Sequence, residues 1–156
     1  MDTLKTAIVS CLFLGRSPVA PGTAGTLGGV AAALILPEEH FAWWALGLCV
    51  VLYTVGWFLA PWCEKHEGRK DPGVFVLDEV IGYLVTVCWV TRPAVTTLIV
   101  AFFLFRLLDI WKPWPGRRLE ALGGGHGIIL DDVSSGVWGW LVLAAVRLWG
   151  PPGLLP

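Results

Sequence analysis

The chain reads as an all-α protein, a compact bundle of about five apolar helices with short loops, set in a membrane. Three observations predict this. Of its 156 residues, 56% are hydrophobic and 15% charged, against about 45–50% and about 25% in an ordinary soluble domain. Residues 41–63 carry no charged side chain at all, and roughly 20 apolar residues suffice for a helix to span the ~30 Å hydrocarbon core. Ten tryptophans are present, and Trp43, Trp44, Trp57 and Trp62 fall toward the two ends of that stretch, where interfacial anchors belong. The length fits one domain over residues 1–156 with a single core.

In chain order, residues 4–15 form a short apolar helix lying on or dipping into the membrane, with no convincing signal-peptide cleavage site behind it. Residues 15–26 are rich in glycine and proline and read as a structured loop. It feeds a helix over about 26–36, which Pro37-Glu38-Glu39-His40 breaks. The span over 41–63 follows, then a charged loop over 64–73. Residues 74–90 are apolar except for Asp78-Glu79, and Arg92-Pro93 makes a turn. An apolar helix runs from 94 to about 111, ended by Pro113 and Pro115. The last helix covers 133–148, and Pro151-Pro152 closes the chain. No internal repeat is visible. Cys11, Cys49, Cys63 and Cys88 lie far apart without C-x-x-C spacing, so they read as apolar thiols.

Lysine and arginine favour the cytoplasmic side of a membrane protein. Arg16, then Lys65, Arg69 and Lys70, then Arg106, Lys112, Arg117 and Arg118 form three groups. Five alternating helices put all three on one side. The acids Asp78-Glu79, Asp109 and Asp131-Asp132 lie in or beside the same segments and are expected to meet near the cytoplasmic face. The net charge of −1 gives no footing for nucleic-acid binding.

Charged groups are few in this chain and costly in apolar surroundings, so their concentration over residues 105–132 points to a site. Asp78 and Glu79 sit in a greasy stretch, where a carboxylate costs about 2.5–3.5 kcal/mol at mid-membrane. Oxygen-rich clusters of this kind hold Mg2+, which neutralises phosphate; the plainer reading is a solvated helix end. Arg106 and Asp109 share a helix face, as site residues or as an ordinary ion pair. Lys112 reads as a phosphate ligand or as an interfacial anchor. Asp131-Asp132 follow a glycine run, and a helix N-cap explains one of them. His126 is a minor candidate, more often a solvated loop histidine. Thr23 and Thr26, at the start of a helix, offer an anion site. Asp71 is a lesser metal candidate. Glu120 is expected in a loop outside the cluster.

With these residues in hand, the chain resembles the phosphatidylglycerophosphatase A family. The resemblance rests on Ser17-Pro-Val-Ala-Pro-Gly-Thr23 with Gly25-Thr26, on Lys70-Asp-Pro-Gly and Val76-Leu-Asp-Glu-Val-Ile-Gly82, and on Phe105-Arg-Leu-Leu-Asp-Ile-Trp-Lys-Pro-Trp-Pro115 with Gly125-His-Gly-Ile-Ile-Leu-Asp-Asp132. Arg16 stands where glycine is expected and is not carried over. The resemblance implies a bacterial inner-membrane enzyme that removes the terminal phosphate of phosphatidylglycerophosphate to give phosphatidylglycerol, with Mg2+ required. Asp78, Glu79, Asp109, Asp131 and Asp132 are then the expected metal ligands and activators of water, with Arg106, Lys112, Thr23 and Thr26 on the phosphate. Attack by water and a covalent aspartyl-phosphate both remain open. Two rivals are an ion-coupled carrier or channel using the same acids, against which the missing repeat speaks, and a soluble helical metal-binding domain.

Overall fold

The computed structural model describes residues 1–150; the Pro151-Pro152 ending lies outside them. Among the described residues the chain forms seven α-helices, one short 3-10 turn and no strand. The helices are α1 (Asp2–Val9), α2 (Pro21–Ile35), α3 (Phe41–Glu67), α4 (Leu77–Thr86), α5 (Val95–Trp111), α6 (Gly116–Glu120) and α7 (Gly124–Trp149), with the 3-10 turn at Leu14–Arg16. The all-α expectation holds, with different boundaries.

Each shift has a physical reason. The first apolar segment stops at Val9, where Cys11, Leu12 and Phe13 take left-handed backbone angles. The second helix begins at Pro21 and not near Thr26, because proline costs nothing in the first turn, where its missing N–H has no partner anyway. The long apolar helix runs on through Pro61 to Glu67 and ends at Gly68 with φ 70°, the left-handed geometry that glycine adopts freely after a helix. Beyond it, of the apolar stretch 74–90 only the ten residues of α4 are helical. The last helix begins at Gly124, nine residues ahead of the expected 133. Its glycines, weak helix formers alone, are recruited by packing against α3 and α6.

Short α4 is the centre of the bundle. Eight of its ten residues are buried, and it packs on α2, α3, α5 and α7. Tyr83, fully buried, donates its hydroxyl to the Leu98 carbonyl of α5 at 2.9 Å. Phe75, Phe105, Ile81 and Ile129 belong to the same core, where close van der Waals packing holds the helices together. The closest approach is between α4 and α7. A Cβ on Gly136 would stand 2.3 Å from the Gly82 carbonyl oxygen, and one on Gly82 would stand 2.7 Å from the Asp132 carbonyl oxygen. Backbone therefore meets backbone, and the Thr86 hydroxyl, 3.0 Å from the Gly82 carbonyl of its own helix, also reaches the Gly136 carbonyl of α7 at 3.4 Å.

The outside is apolar. Trp43, Phe58, Phe103 and Ile110 are each at least two-thirds exposed. By length and composition, α3 and α7 can each cross a membrane. One end of the bundle is closed by Arg92, which donates to the Leu34 and Leu36 carbonyls at 2.9 and 3.3 Å and pairs with Glu38. The four cysteines are free, and Cys49 and Cys63 are buried.

Candidate active site

Four helix ends build one cluster. The first turn of α4 supplies Asp78 and Glu79, where the N-terminal end of the helix dipole favours acids. The last turns of α5 supply Arg106 and Asp109, and Lys112 follows as the residue that stops the helix. The second and third turns of α7 supply Asp131 and Asp132, and the start of α2 supplies Thr26.

Arg106 Nη1 lies 2.7 Å from Asp109 Oδ2 and 4.0 Å from Glu79 Oε1. It also reaches Thr26 Oγ1 at 3.5 Å, and Thr26 donates in turn to the Gly22 carbonyl at 2.9 Å. Lys112 Nζ lies 2.7 Å from Asp131 Oδ2 and 3.1 Å from Glu120 Oε1. Burial works against the Lys112 charge, but the hydrogen bonds and charges of Asp131 and Glu120 outweigh it and hold the ammonium above its ordinary 10.5. Glu120 is thus a partner of Lys112, contrary to the expectation that it stands outside the cluster.

Asp78, Glu79 and Asp132 bring one carboxylate oxygen each to within 4.8 Å of one another, and Asp132 also faces Asp109. Asp78 and Asp132 are 7% and 4% exposed. Glu79 Oε2 and Arg106 Nε are buried with no protein partner. Six carboxylates, Glu120 included, against Arg106 and Lys112 leave this cluster short of positive charge. The donors are oxygen throughout and one is left over, which fits a hard divalent cation such as Mg2+.

The remaining candidates sort by position. Asp131 and Asp132 lie well inside α7, so neither is the N-cap expected of one of them. Asp71 is an exposed loop residue with φ 44° at the rim. Partial burial of its carboxyl raises it above the usual range; Lys112 pulls the other way, and Glu120 and Asp109 add to the rise. Thr23 is half-buried in the first turn of α2, with no hydrogen bond from its side chain among the described residues. His126 belongs to α7, 2.5 Å from the Tyr53 hydroxyl and against the Trp57 ring. Arg16 lies 4.0 Å from Glu67.

Sequence reasoning missed Gly22. A Cβ there would stand 2.3 Å from Glu79 Oε1 and 3.1 Å from the Arg106 guanidinium, so its missing side chain is what admits those two groups. The pairing of Gly82 and Gly136 was also missed. Its signal is spacing: each glycine follows a cluster aspartate, Asp78 or Asp132, by four residues, one helical turn.

Residues 7–147 match the model of the phosphatidylglycerophosphatase A family. The chain belongs to that family. Among curated relatives, a phosphatidylglycerophosphatase A of Escherichia coli K12 is 34% identical over 148 residues, covering 90% of this chain and 82% of that one. The phosphatidylglycerophosphatase A of Haemophilus influenzae is 31% identical, over 83% and 80%. A Bacteroides thetaiotaomicron protein described provisionally as a phosphatidylinositol-3-phosphatase is 35% identical, over 85% and 87%. No solved structure matches. As a phosphatidylglycerophosphatase A family member the chain is a phosphatase, a phosphoric monoester hydrolase. The family match takes in the whole cluster, from Gly22 to Asp132.

Proposed function

We propose that this phosphatase removes the terminal phosphate of phosphatidylglycerophosphate, leaving phosphatidylglycerol, with Mg2+ as cofactor and with the site facing the cytoplasm at the bacterial inner membrane. The observation that carries the reading is the three-carboxylate group of buried Asp78 and Asp132 with partly buried Glu79, beside two anchored cations, Arg106 and Lys112. The substrate follows from the relatives' names. Membrane embedding, with five apolar helices in the bundle, is supported by two helices of spanning length and by the exposed apolar faces of α3, α5 and α7.

Asp78, Glu79 and Asp132, with Asp109 and Asp131 beside them, would hold Mg2+, which supplies positive charge to the phosphate oxygens and acidifies water. Arg106 presents its unpartnered Nε to a phosphate oxygen, and its pairing with Asp109 fixes the plane of the guanidinium. Lys112, gripped by Asp131 and Glu120, stays protonated and offers a point charge to the same group. Thr26 steadies Arg106 from the far side. Of the carboxylates, Asp78 and Asp132 have no side-chain cation as partner among the described residues; an oxygen of either that is not on the metal would take the proton from the attacking water. As the water oxygen bonds to phosphorus, the bond from phosphorus to the glycerol oxygen breaks, and that oxygen leaves as the alcohol once it gains a proton. Catalysis here is positioning and charge neutralisation, as phosphoryl transfer generally requires.

Purified protein offered phosphatidylglycerophosphate in mixed micelles, with Mg2+ or with excess EDTA, is expected to release inorganic phosphate only with the metal. An equal amount of phosphatidic acid is expected to compete poorly. Full turnover of metal-free enzyme in EDTA would refute the metal, and preference for phosphatidic acid would refute the substrate. The carrier or channel alternative has no observation in its favour.

A further inference from the structure

A groove of about 790 Å3 opens beside the cluster, walled by Leu108 and Trp111 of α5, Trp138 and Val142 of α7, and the Lys112–Arg118 segment, a volume within the usual range for a ligand site. Trp138 Nε1 donates to the Trp114 carbonyl at 2.8 Å, which ties its two sides together. Two of its features are not used by the hydrolysis described above. Arg117 and Arg118 are exposed cations on its rim, and neither has a carboxylate partner among the described residues; the Arg117 guanidinium only touches the Trp111 carbonyl at 3.4 Å. Below them the walls turn apolar and aromatic. Lys112 belongs both to this groove and to the cluster, so the two adjoin at that side chain.

We propose that this groove is the subsite for the half of the lipid that is not cleaved: Arg117 and Arg118 take the internal phosphodiester, and an acyl chain lies along Leu108, Trp138 and Val142. The inference rests on the lipid phosphatase reading and extends it from the reacting phosphate to the rest of the substrate. Three features favour this occupant. Two unpaired guanidiniums on an aromatic rim match an anionic lipid headgroup. From Asp131, beside Lys112, to Val142 is eleven residues of helix, about 16 Å at 1.5 Å per residue, close to half of the ~30 Å hydrocarbon thickness and so to the reach of one acyl chain. The rim cations also give the site a means of choosing its substrate. A lipid with both a phosphodiester and a terminal monoester engages both sets of cations, whereas phosphatidic acid, with a monoester alone, engages one.

The experiment has two arms on purified protein in detergent. In the first, kcat/KM is measured for phosphatidylglycerophosphate and for phosphatidic acid. The double variant Arg117→Ala/Arg118→Ala is expected to lower the ratio of the two values about tenfold, the usual order for a hydrogen bond to a charged group. Arg117→Lys/Arg118→Lys, which keeps the charge, is expected to recover most of the loss. In the second, tryptophan fluorescence is titrated with phosphatidylglycerol brominated on its acyl chains, a lipid that holds the phosphodiester and nothing to cleave, against brominated diacylglycerol. The wild type is expected to be quenched by the former at lower mole fraction, and the alanine variant to lose that advantage. An unchanged substrate ratio, or equal quenching of wild type by the two brominated lipids, overturns the subsite. If the wild type hydrolyses neither substrate, the phosphatase reading fails, and the quenching arm still decides the groove.

Discussion

The carboxylates of the cluster differ in what they leave behind when neutralised. Asp78 has no cationic partner, so Asp78→Asn is expected to cut turnover at least about a hundredfold, the usual effect of losing a ~3 kcal/mol electrostatic contact, while the melting temperature holds or rises because an unpaired buried charge is gone. Asp109 is the nearest partner of Arg106 at 2.7 Å. Asp109→Asn is therefore expected to lower both turnover and melting temperature. Glu39→Gln, on the exposed stretch before α3, is the control and is expected to move neither. A fully active Asp78→Asn enzyme would remove Asp78 from the chemistry. Asp71 supplies a pH test. Its folded-state carboxyl is raised above the ordinary 3.8, so in the metal-free protein the native state binds the proton more tightly than the unfolded chain. That contribution is fully present below about pH 3.8 and is lost as pH rises through the folded value. Asp71→Asn is thus expected to raise the melting temperature of metal-free protein at pH 7. Asparagine also suits the left-handed backbone at φ 44°, but that gain does not depend on pH. A benefit of equal size at pH 3.5 and pH 7 would assign the whole effect to the backbone. At this scale the acids could be read from the sequence because charge is scarce in so apolar a chain. Glu120 could not, since its role depends on α6 folding back toward Lys112.

At the scale of elements, the contact between α4 and α7 sets the site. Gly136→Ala would put a methyl 2.3 Å from the Gly82 carbonyl oxygen and force the two helices apart. Overpacking of this kind costs about 1–3 kcal/mol, and here it also separates Asp132 from Asp78 and Glu79. With Mg2+ at the site as proposed, the expected outcome is an enzyme with every carboxylate in place that needs more of the metal and whose rate falls more steeply than its stability; calorimetric titration with Mg2+ and a melting curve check it together. Unchanged metal affinity would mean that the glycine pair serves packing alone. The sequence carried enough to draw the helices between prolines, and α5 was expected over nearly its actual length. It misjudged α2 and α7 for one reason. Local preference weighs glycine and proline against helix, but Pro21 falls in a first turn and Gly125 and Gly127 pack on α3 and α6, and tertiary packing outweighs propensity. That error turned Asp131-Asp132 from residues inside a helix into apparent caps.

Seen as a whole, the molecule has two unlike ends. One gathers the carboxylates, Arg106, Lys112 and the loop after α3; the other carries the Glu38–Arg92 pair, the α2 carbonyls that Arg92 caps, and Arg147 in the last turn of α7, over the Trp89 ring. The excess of lysine and arginine at the first end predicts that it faces the cytoplasm. Single cysteines replacing Glu39 or Lys70, in protein stripped of its native four, are expected to react with an impermeant maleimide outside intact spheroplasts at 39 and not at 70; the reverse pattern would invert the orientation. The groove between α5 and α7 was not legible in the sequence, because Leu108 and Val142 become neighbours only when α6 folds the chain back. As the proposed acyl subsite, with Trp111, Trp138 and Val142 exposed along its walls, it has a kinetic consequence. A substrate that slides in sideways arrives by search in two dimensions, so its useful concentration is counted per unit of lipid surface and not per litre. Adding inert detergent micelles at constant total substrate is expected to slow the reaction in proportion to the fall in mole fraction, whereas doubling the volume with buffer at fixed composition is expected to leave turnover per enzyme almost unchanged.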